Sequence, residues 1–478
     1  MITFILSLIL LVLGYFTYGK FVEKFFGMDP LRLTPVMKSK DGVDFLPLKP
    51  WRMFVIQFLN IAGLGPIFGA ILGAMYGPMA YLWIVLGCIF MGATHDYFSG
   101  MLSIRDGGNS VPEIVGKYLG SKMKFALRIF SIMLLVFVGV AFVTGPAGLL
   151  ADLTGGGKNI WLYVIFAYYL IATLLPVSKI IGKIYPIFGA ALMVMALGIG
   201  GSIFYNYFNG DLQLMELSFD NMRNFHTDTA SNILFPMMFI VISCGAISGF
   251  HCTQSPMMAR CMENEKSGRP VFFGSMITEG IVALIWATAA MNFFGGVDGL
   301  NDTIAGGHNP AWIVNTICNT WLGKVGAVFA IIGVVACPIT TGDTAFRSCR
   351  LIIADIFRLP QIKMSYRLLV CIPLFALGFV LSQLDFSTIW KYLGIANQIL
   401  ASIFLWTGAQ YLVTEKKNHL MLSIPATLLS LVCTSYLMVA PINNGGLALD
   451  TSLGYSISFI FVSIIFVAFC IKSRNFKN

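Results

Sequence analysis

Apolar runs of roughly twenty residues recur along the whole chain, each long enough to cross about 30 Å of hydrocarbon at about 1.5 Å per residue. About thirteen can be marked, near 2–19, 53–74, 78–104, 124–150, 160–176, 184–208, 232–258, 271–296, 322–342, 366–383, 387–413, 419–440 and 452–471. Lipid offers no partner to backbone N–H and C=O groups, so such runs are expected to be helices. The expected fold class is an all-α polytopic membrane protein. Charged residues make up 11% of the chain, against about 25% in soluble domains. The first run lacks a basic leader and a small-residue cleavage site, so it reads as a retained span and not a signal peptide.

A net charge of +9 could suit a nucleic-acid partner, but its distribution argues for a bilayer. Threaded with the N-terminus outside, the inner segments hold 27 of the 31 Lys and Arg. Only Lys158, Arg223, Lys324 and Lys391 fall outside. That asymmetry sets the expected orientation in a bacterial inner membrane: N-terminus out, C-terminus cytoplasmic. The longest outer loop, near 209–231, is acidic (Asp211, Glu216, Asp220, Asp228). Ala311 to Leu322 is expected to be a short helix over the outer face. The ten cysteines show no CxxC pair and mostly sit in apolar runs, so neither a metal site nor a disulfide framework is expected. No cofactor is expected either: Gly155-Gly156-Gly157-Lys158 lacks the full phosphate-loop pattern.

Two spans differ from the Leu/Ile/Phe/Val runs around them. The second contains Asn60-Ile61-Ala62-Gly63-Leu64-Gly65-Pro66, about 18 Å into the bilayer. Pro66 lacks a backbone donor and obstructs a continuous helix, but suits the start of a second half-helix. The seventh contains Ser243-Cys244-Gly245-Ala246-Ile247-Ser248-Gly249-Phe250-His251, at about 20 Å depth. Each interruption heads a block of five spans, 53–208 and 232–413, and the threading gives the blocks opposite topology. Paired interruptions of this kind point to an inverted-repeat transporter with its site at the breaks. Residues 1–52 would be a preceding span and loop, and 414–478 two further spans with a short tail. Half-helix N-termini near Pro66 and Gly249 would suit a carboxylate. The expected substrate residues are Gly63, Gly65, Pro66, Gly245, Ser248, Gly249, His251, Gln254, Asn397 and Gln398. The bland alternative is kinked helices packed through small residues, with Asn397 and Gln398 as interhelical glue.

Few charges lie at depth. Asp96 sits about 13 Å above Arg105, and Glu279 about 15 Å above Arg269. His95 adjoins Asp96, and Asp343 lies in Thr340-Thr341-Gly342-Asp343. An intramembrane charge costs about 2.5–3.5 kcal/mol on insertion scales, so these residues are expected to line a polar path or pair. His95, Asp96, Glu279, Thr340, Thr341 and Asp343 are the expected coupling residues, for a proton on the carboxylates or sodium on the threonines. The alternatives are ion pairs, Asp96 with Arg105 or Asp343 with Arg347, and threonines bonded to their own helix backbone.

The segments NIAGLGPIFGAILGAMYGP (60–78), HDYFSGMLSIRDGGNSVPEIVGKYLG (95–120), FPMMFIVISCGAISGFHCTQSPMMARC (235–261) and TTGDTAFRSCRLIIADIF (340–357) resemble the carbon starvation protein A (CstA) family. The resemblance implies transport of pyruvate or small peptides, with proton coupling for the pyruvate carriers. It also implies a LeuT-type five-plus-five core, as in the amino acid–polyamine–organocation superfamily. The reading is a secondary transporter, with a small-molecule substrate, a coupling proton or sodium and the bilayer as partners. A sodium-coupled amino-acid or peptide carrier, an ion channel and an intramembrane enzyme are the competing readings.

Overall fold

The computed structural model describes residues 1–38, 44–174, 185–384 and 386–475; Lys40, Lys179, Lys183 and Lys477 of the basic inner segments lie outside them. Every regular element among the described residues is helical. The helices used below are α1 (Ile2–Phe26), α2 (Pro50–Ile61), α3 (Gly65–Ala74) and α4 (Met79–Arg105). Then come α5 (Val111–Leu119), α6 (Ser121–Thr154), α7 (Lys158–Leu174) and α8 (Tyr185–Phe208). The second half contains α9 (234–241), α10 (Gly249–Ala259), α11 (Glu265–Phe293) and α12 (Val297–Ala305). It ends with α13 (Pro310–Ile331), α14 (Cys337–Phe357), α15 (Met364–Leu381), α16 (Phe386–Thr414), α17 (Leu420–Val439) and α18 (Thr451–Asn475).

Nine described helices are long and apolar enough to cross a membrane, ten if α2 and α3 count as one bent span. The remaining expected spans are shorter or more polar. α7 has 17 residues, α9 and α10 are halves of a broken span, and α14 carries Asp343, Arg347 and Arg350. The ninth span is not 322–342. Gly323, at φ 59° and ψ −145°, separates a 310–322 piece from the helix after it, and α14 continues to Phe357. Arg347 and Arg350 read as an inner loop in the sequence, yet both are buried in this helix.

Burial separates core from periphery. α11 and α4 are buried along most of their length, whereas α18 and α1 present Leu, Ile and Phe outward. In lipid this exposure carries no hydrophobic cost, so core spans are distinguished by what they pack and not by their apolarity. Close helix approach relies on glycine. A Cβ on Gly92 would collide with the Ala246 carbonyl oxygen, and one on Gly139 would lie 2.5 Å from the Phe346 ring.

Candidate functional site

Both expected interruptions are present. α2 ends with Ala62 N–H donating to Phe58 O at 2.8 Å, residues 62–64 leave the helix, and α3 sets off at 54° to α2. α9 ends at Val241, residues 242–248 are non-helical, and α10 begins at Gly249. Freed carbonyls at this depth need partners. Trp83 Nε1 donates to Ile242 O at 3.1 Å. Gln398 Nε2 reaches Ile247 O at 3.1 Å and Phe239 O at 3.3 Å, and Thr341 Oγ1 donates to Leu59 O at 3.0 Å. The breaks meet: a Cβ on Gly65 would run into Cys244, and one on Gly69 would lie 2.9 Å from Val241 O.

Above this crossing lies a cavity of about 350 Å³. Its floor includes Gly65, Ser243, Cys244 and Asn397, and its walls Phe68, Phe142, Phe250 and Trp390. His226, Asn232, Asn309 and Asn444 stand at its mouth. Among the described residues lining it, none is Asp, Glu, Lys or Arg. The mouth opens on the face that carries the acidic loop 209–231, where Met1 contacts Glu216.

The opposite, basic face is shut. Arg105 donates to Tyr411 Oη and to Gly27 O, each at 2.6 Å, and its Nε lies 3.4 Å from Glu265 Oε1. Glu265 is buried, accepts Asp29 N–H at 2.8 Å and faces Arg32 at 3.7 Å. Lys417 Nζ donates to Phe25 O and Phe26 O at 2.8 Å. Arg105 thus pairs with Glu265 and leaves Asp96 for another partner.

That partner set lies behind the second break. His95 Nδ1 is 2.8 Å from Asp96 Oδ1, and His251 Nδ1 is 2.9 Å from Asp96 Oδ2. His251 Nε2 faces Glu279 Oε2 at 3.4 Å. All four side chains are fully buried. Asp96 accepts from both rings, which assigns the Nδ1 hydrogens to the histidines by hydrogen-bond logic. His251 Nε2 and both Glu279 carboxyl oxygens have no hydrogen-bond partner among the described residues, and the two groups face each other across 3.4 Å. At 3.4 Å the pair lies just beyond the reach for direct proton transfer, about 2.6–3.2 Å. Ser99 and Ser255, 2.7 Å apart, continue the α4–α10 contact toward the basic face.

Among the expected substrate residues, Gly65 and Asn397 line the cavity. Gly63 packs beside Phe142 and Thr341, and Pro66 sits in the first turn of α3. Gly245 abuts Ala283, Ser248 lies 3.7 Å from Cys244 Sγ, and Gly249 abuts the α16 backbone at Asn397 and Ala401. His251 joins the buried chain, Gln254 donates to Thr253 Oγ1 at 2.9 Å, and Gln398 braces the second break. Asp96 and Glu279 do not face an open cavity; His251 joins them. Thr340, Thr341 and Asp343 lie apart on α14. Thr340 Oγ1 donates to Cys337 O at 2.7 Å, Thr341 Oγ1 shares its one hydrogen between Leu59 O and Cys337 O at 3.0 and 3.1 Å, and Asp343 accepts from Tyr185 at 2.5 Å. Sequence reasoning missed Trp83, Cys244 and the aromatic walls, because apolar and aromatic residues in an apolar run carry no signal.

Paired broken helices, crossing beneath a cavity open to one face and shut at the other, define a LeuT-type transporter fold. The structure matches a manganese transporter of Eremococcus coleocola with a TM-score of 0.55, at 12% identity, over 91% of this chain and 98% of that one. The chain belongs to the carbon starvation protein CstA family, whose profile matches residues 1–156, 145–301 and 302–436. It is 43% identical over 360 residues to an uncharacterized membrane protein of Haemophilus influenzae, covering 64% of this chain and 95% of that protein. It is 28% identical to the peptide transporter CstA of Campylobacter jejuni, over 57% of this chain, and 26% identical to the pyruvate/proton symporter BtsT of Escherichia coli, over 58%. Each match covers 47% of the relative, so the chain spans about half the length of these two.

Proposed function

We propose that this chain is a secondary active transporter that imports a small carboxylate, pyruvate or a small peptide, by proton symport across a bacterial inner membrane. The observation that carries the reading is the His95–Asp96–His251–Glu279 chain. His251 follows Phe250 on α10, so adjacent residues face the proton store and the cavity. Filling the cavity presses on Phe250 and moves the helix that sets the His251–Glu279 distance. The two five-span units are 53–208 and 232–413, with 1–52 before them and 414–478 after. The basic face is cytoplasmic, and the cavity opens outward.

The test is uptake of labelled pyruvate and labelled dipeptides into proteoliposomes under an imposed pH gradient. Accumulation that collapses with a proton ionophore is expected. Accumulation driven by sodium at equal pH would move coupling to Thr340, Thr341 and Asp343, and passive ion conductance without accumulation would favour a channel.

Two further expectations arise from the geometry. A cysteine placed at exposed Asp220 should be labelled from outside intact cells, and one at exposed Lys266 only after permeabilisation; the reverse pattern would invert the orientation. Cys244 is the one cysteine among the residues lining the cavity. Alkylation of Cys244 by a small thiol reagent added outside should slow at least about tenfold at saturating substrate, the effect of occupying most sites. Equal rates with and without substrate would place the substrate elsewhere.

A further inference from the structure

α14 carries a second polar stripe that the cavity and the buried proton chain do not use. Thr341 sits at the level of the first break, bonded to Leu59 O. Asp343, Arg347 and Arg350 follow at i, i+4 and i+7, on one side of the helix. Arg350 is nine residues past Thr341, about 13 Å toward the basic face. Arg347 is 2% exposed and Arg350 fully buried. Arg347 Nη2 donates to Ala172 O at 3.0 Å and lies 4.0 Å from Asp343 Oδ2. Arg350 Nη1 donates to Gln361 Oε1, and its Nη2 lies 3.9 Å from Asp44 Oδ1, beyond hydrogen-bond range.

Three guanidinium nitrogens, Arg347 Nε, Arg350 Nε and Arg350 Nη2, have no hydrogen-bond partner among the described residues. Leaving such donors idle in a buried site is costly. The two idle nitrogens of Arg350 form one edge of its fork. That edge matches the two oxygens of a carboxylate, with parallel N–H···O bonds that a lysine cannot reproduce. None of the described residues lining the outer cavity is charged, so the two described regions differ in what they offer an anion.

We infer that the Nε/Nη2 edge of Arg350, with Arg347 beside it, is a carboxylate subsite on the basic-face half of the transport path. It takes the carboxylate of the substrate as the inner face opens, when Asp44 moves off Nη2. This rests on the proposed transport of a small carboxylate. The subsite accounts for the idle donors, and it draws an anion inward from a cavity that holds it only weakly.

The test uses the full chain in proteoliposomes with pyruvate as probe, in counterflow with unlabelled pyruvate at the basic face. In Arg350→Gln the half-saturating concentration at the basic face is expected to rise at least about tenfold, the loss of a bidentate charge-assisted pair. The outer-face KM should stay within about twofold, since Arg350 is remote from the cavity. Arg350→Lys keeps the charge, guards against misfolding and should fall between. Wild-type half-saturation at the basic face in both variants, with outer-face KM intact, would overturn the inference and leave the arginines as structural ion pairs. If the wild type carries neither pyruvate nor peptide, the transport reading fails separately. The subsite is then read by thermal shift of purified protein with acetate against chloride. Stabilisation by acetate that Arg350→Gln loses supports it, and no difference between the two anions overturns it.

Discussion

His251→Ala should abolish accumulation of substrate against its gradient while leaving exchange of internal for external substrate measurable. The ring is the one described link between Asp96 and Glu279, at 2.9 and 3.4 Å. Removing it leaves two buried carboxyl groups facing a void. Glu279 then has no base with which to share its proton, and Asp96 retains only His95. A proton taken into the site cannot be handed on, and net symport stops. Exchange needs only the loaded carrier to reorient. The expected loss in proton-driven accumulation is at least about 100-fold, the lower end for deleting a positioned acid–base group. The lost charge-assisted hydrogen bond also costs about 1.5–3 kcal/mol of stability, so Glu279→Gln, which keeps shape, is the cleaner companion. Both variants should show the same split between accumulation and exchange. If both accumulate substrate as the wild type does under a proton gradient, the buried chain is structural. The threonines and Asp343 of α14 then become the coupling residues to test with sodium.

The split between legible and illegible follows from physics. Helical spans are legible because lipid forces backbone satisfaction and demands length, so α4, α8, α16 and α17 lie within a few residues of their apolar runs. The breaks are legible because Gly63, Gly65, Pro66, Gly245 and Gly249 conflict with a continuous helix. The end of the ninth span was hidden because Arg347 and Arg350 look like a loop until Asp343, Asp44 and the Ala172 carbonyl are placed around them. Depth singled out Asp96 and Glu279, whereas His251 was expected among the substrate residues at the second break, and sequence spacing could not show that its ring joins both carboxylates. Those contacts span 155 residues between Asp96 and His251. Trp83 and Cys244 were invisible for the opposite reason: their roles at the second break depend on which carbonyls unwind, and composition does not record that.

The crossing of the two breaks yields the other large expected effect. A Cβ on Gly65 would occupy the space of Cys244 Cβ and Sγ. The clash is with a side chain's root and not its flexible end, so rotation cannot relieve it. Gly65→Ala therefore has to push α3 away from the 242–248 segment, which moves the cavity floor and tilts the helix start that carries Phe250 and His251. Uptake is expected to fall at least about 100-fold, as for a misplacement of about 1 Å at a site that depends on position. Removing the obstructing side chain tests the cause. Cys244→Gly should restore at least a tenth of wild-type uptake to Gly65→Ala, although alone it lowers uptake by loosening the break. Coupling of this size between two positions marks direct contact and not independent damage. Gly249 should behave differently. A Cβ there meets backbone, Ala401 N at 2.5 Å and the Asn397 carbonyl oxygen, and that backbone has no side chain to remove. Gly249→Ala should accordingly lose folded protein as well as uptake, and a side-chain truncation on α16 such as Leu400→Ala should not rescue it. If Cys244→Gly fails to rescue Gly65→Ala while both proteins remain folded, the breaks do not cross at these residues during transport.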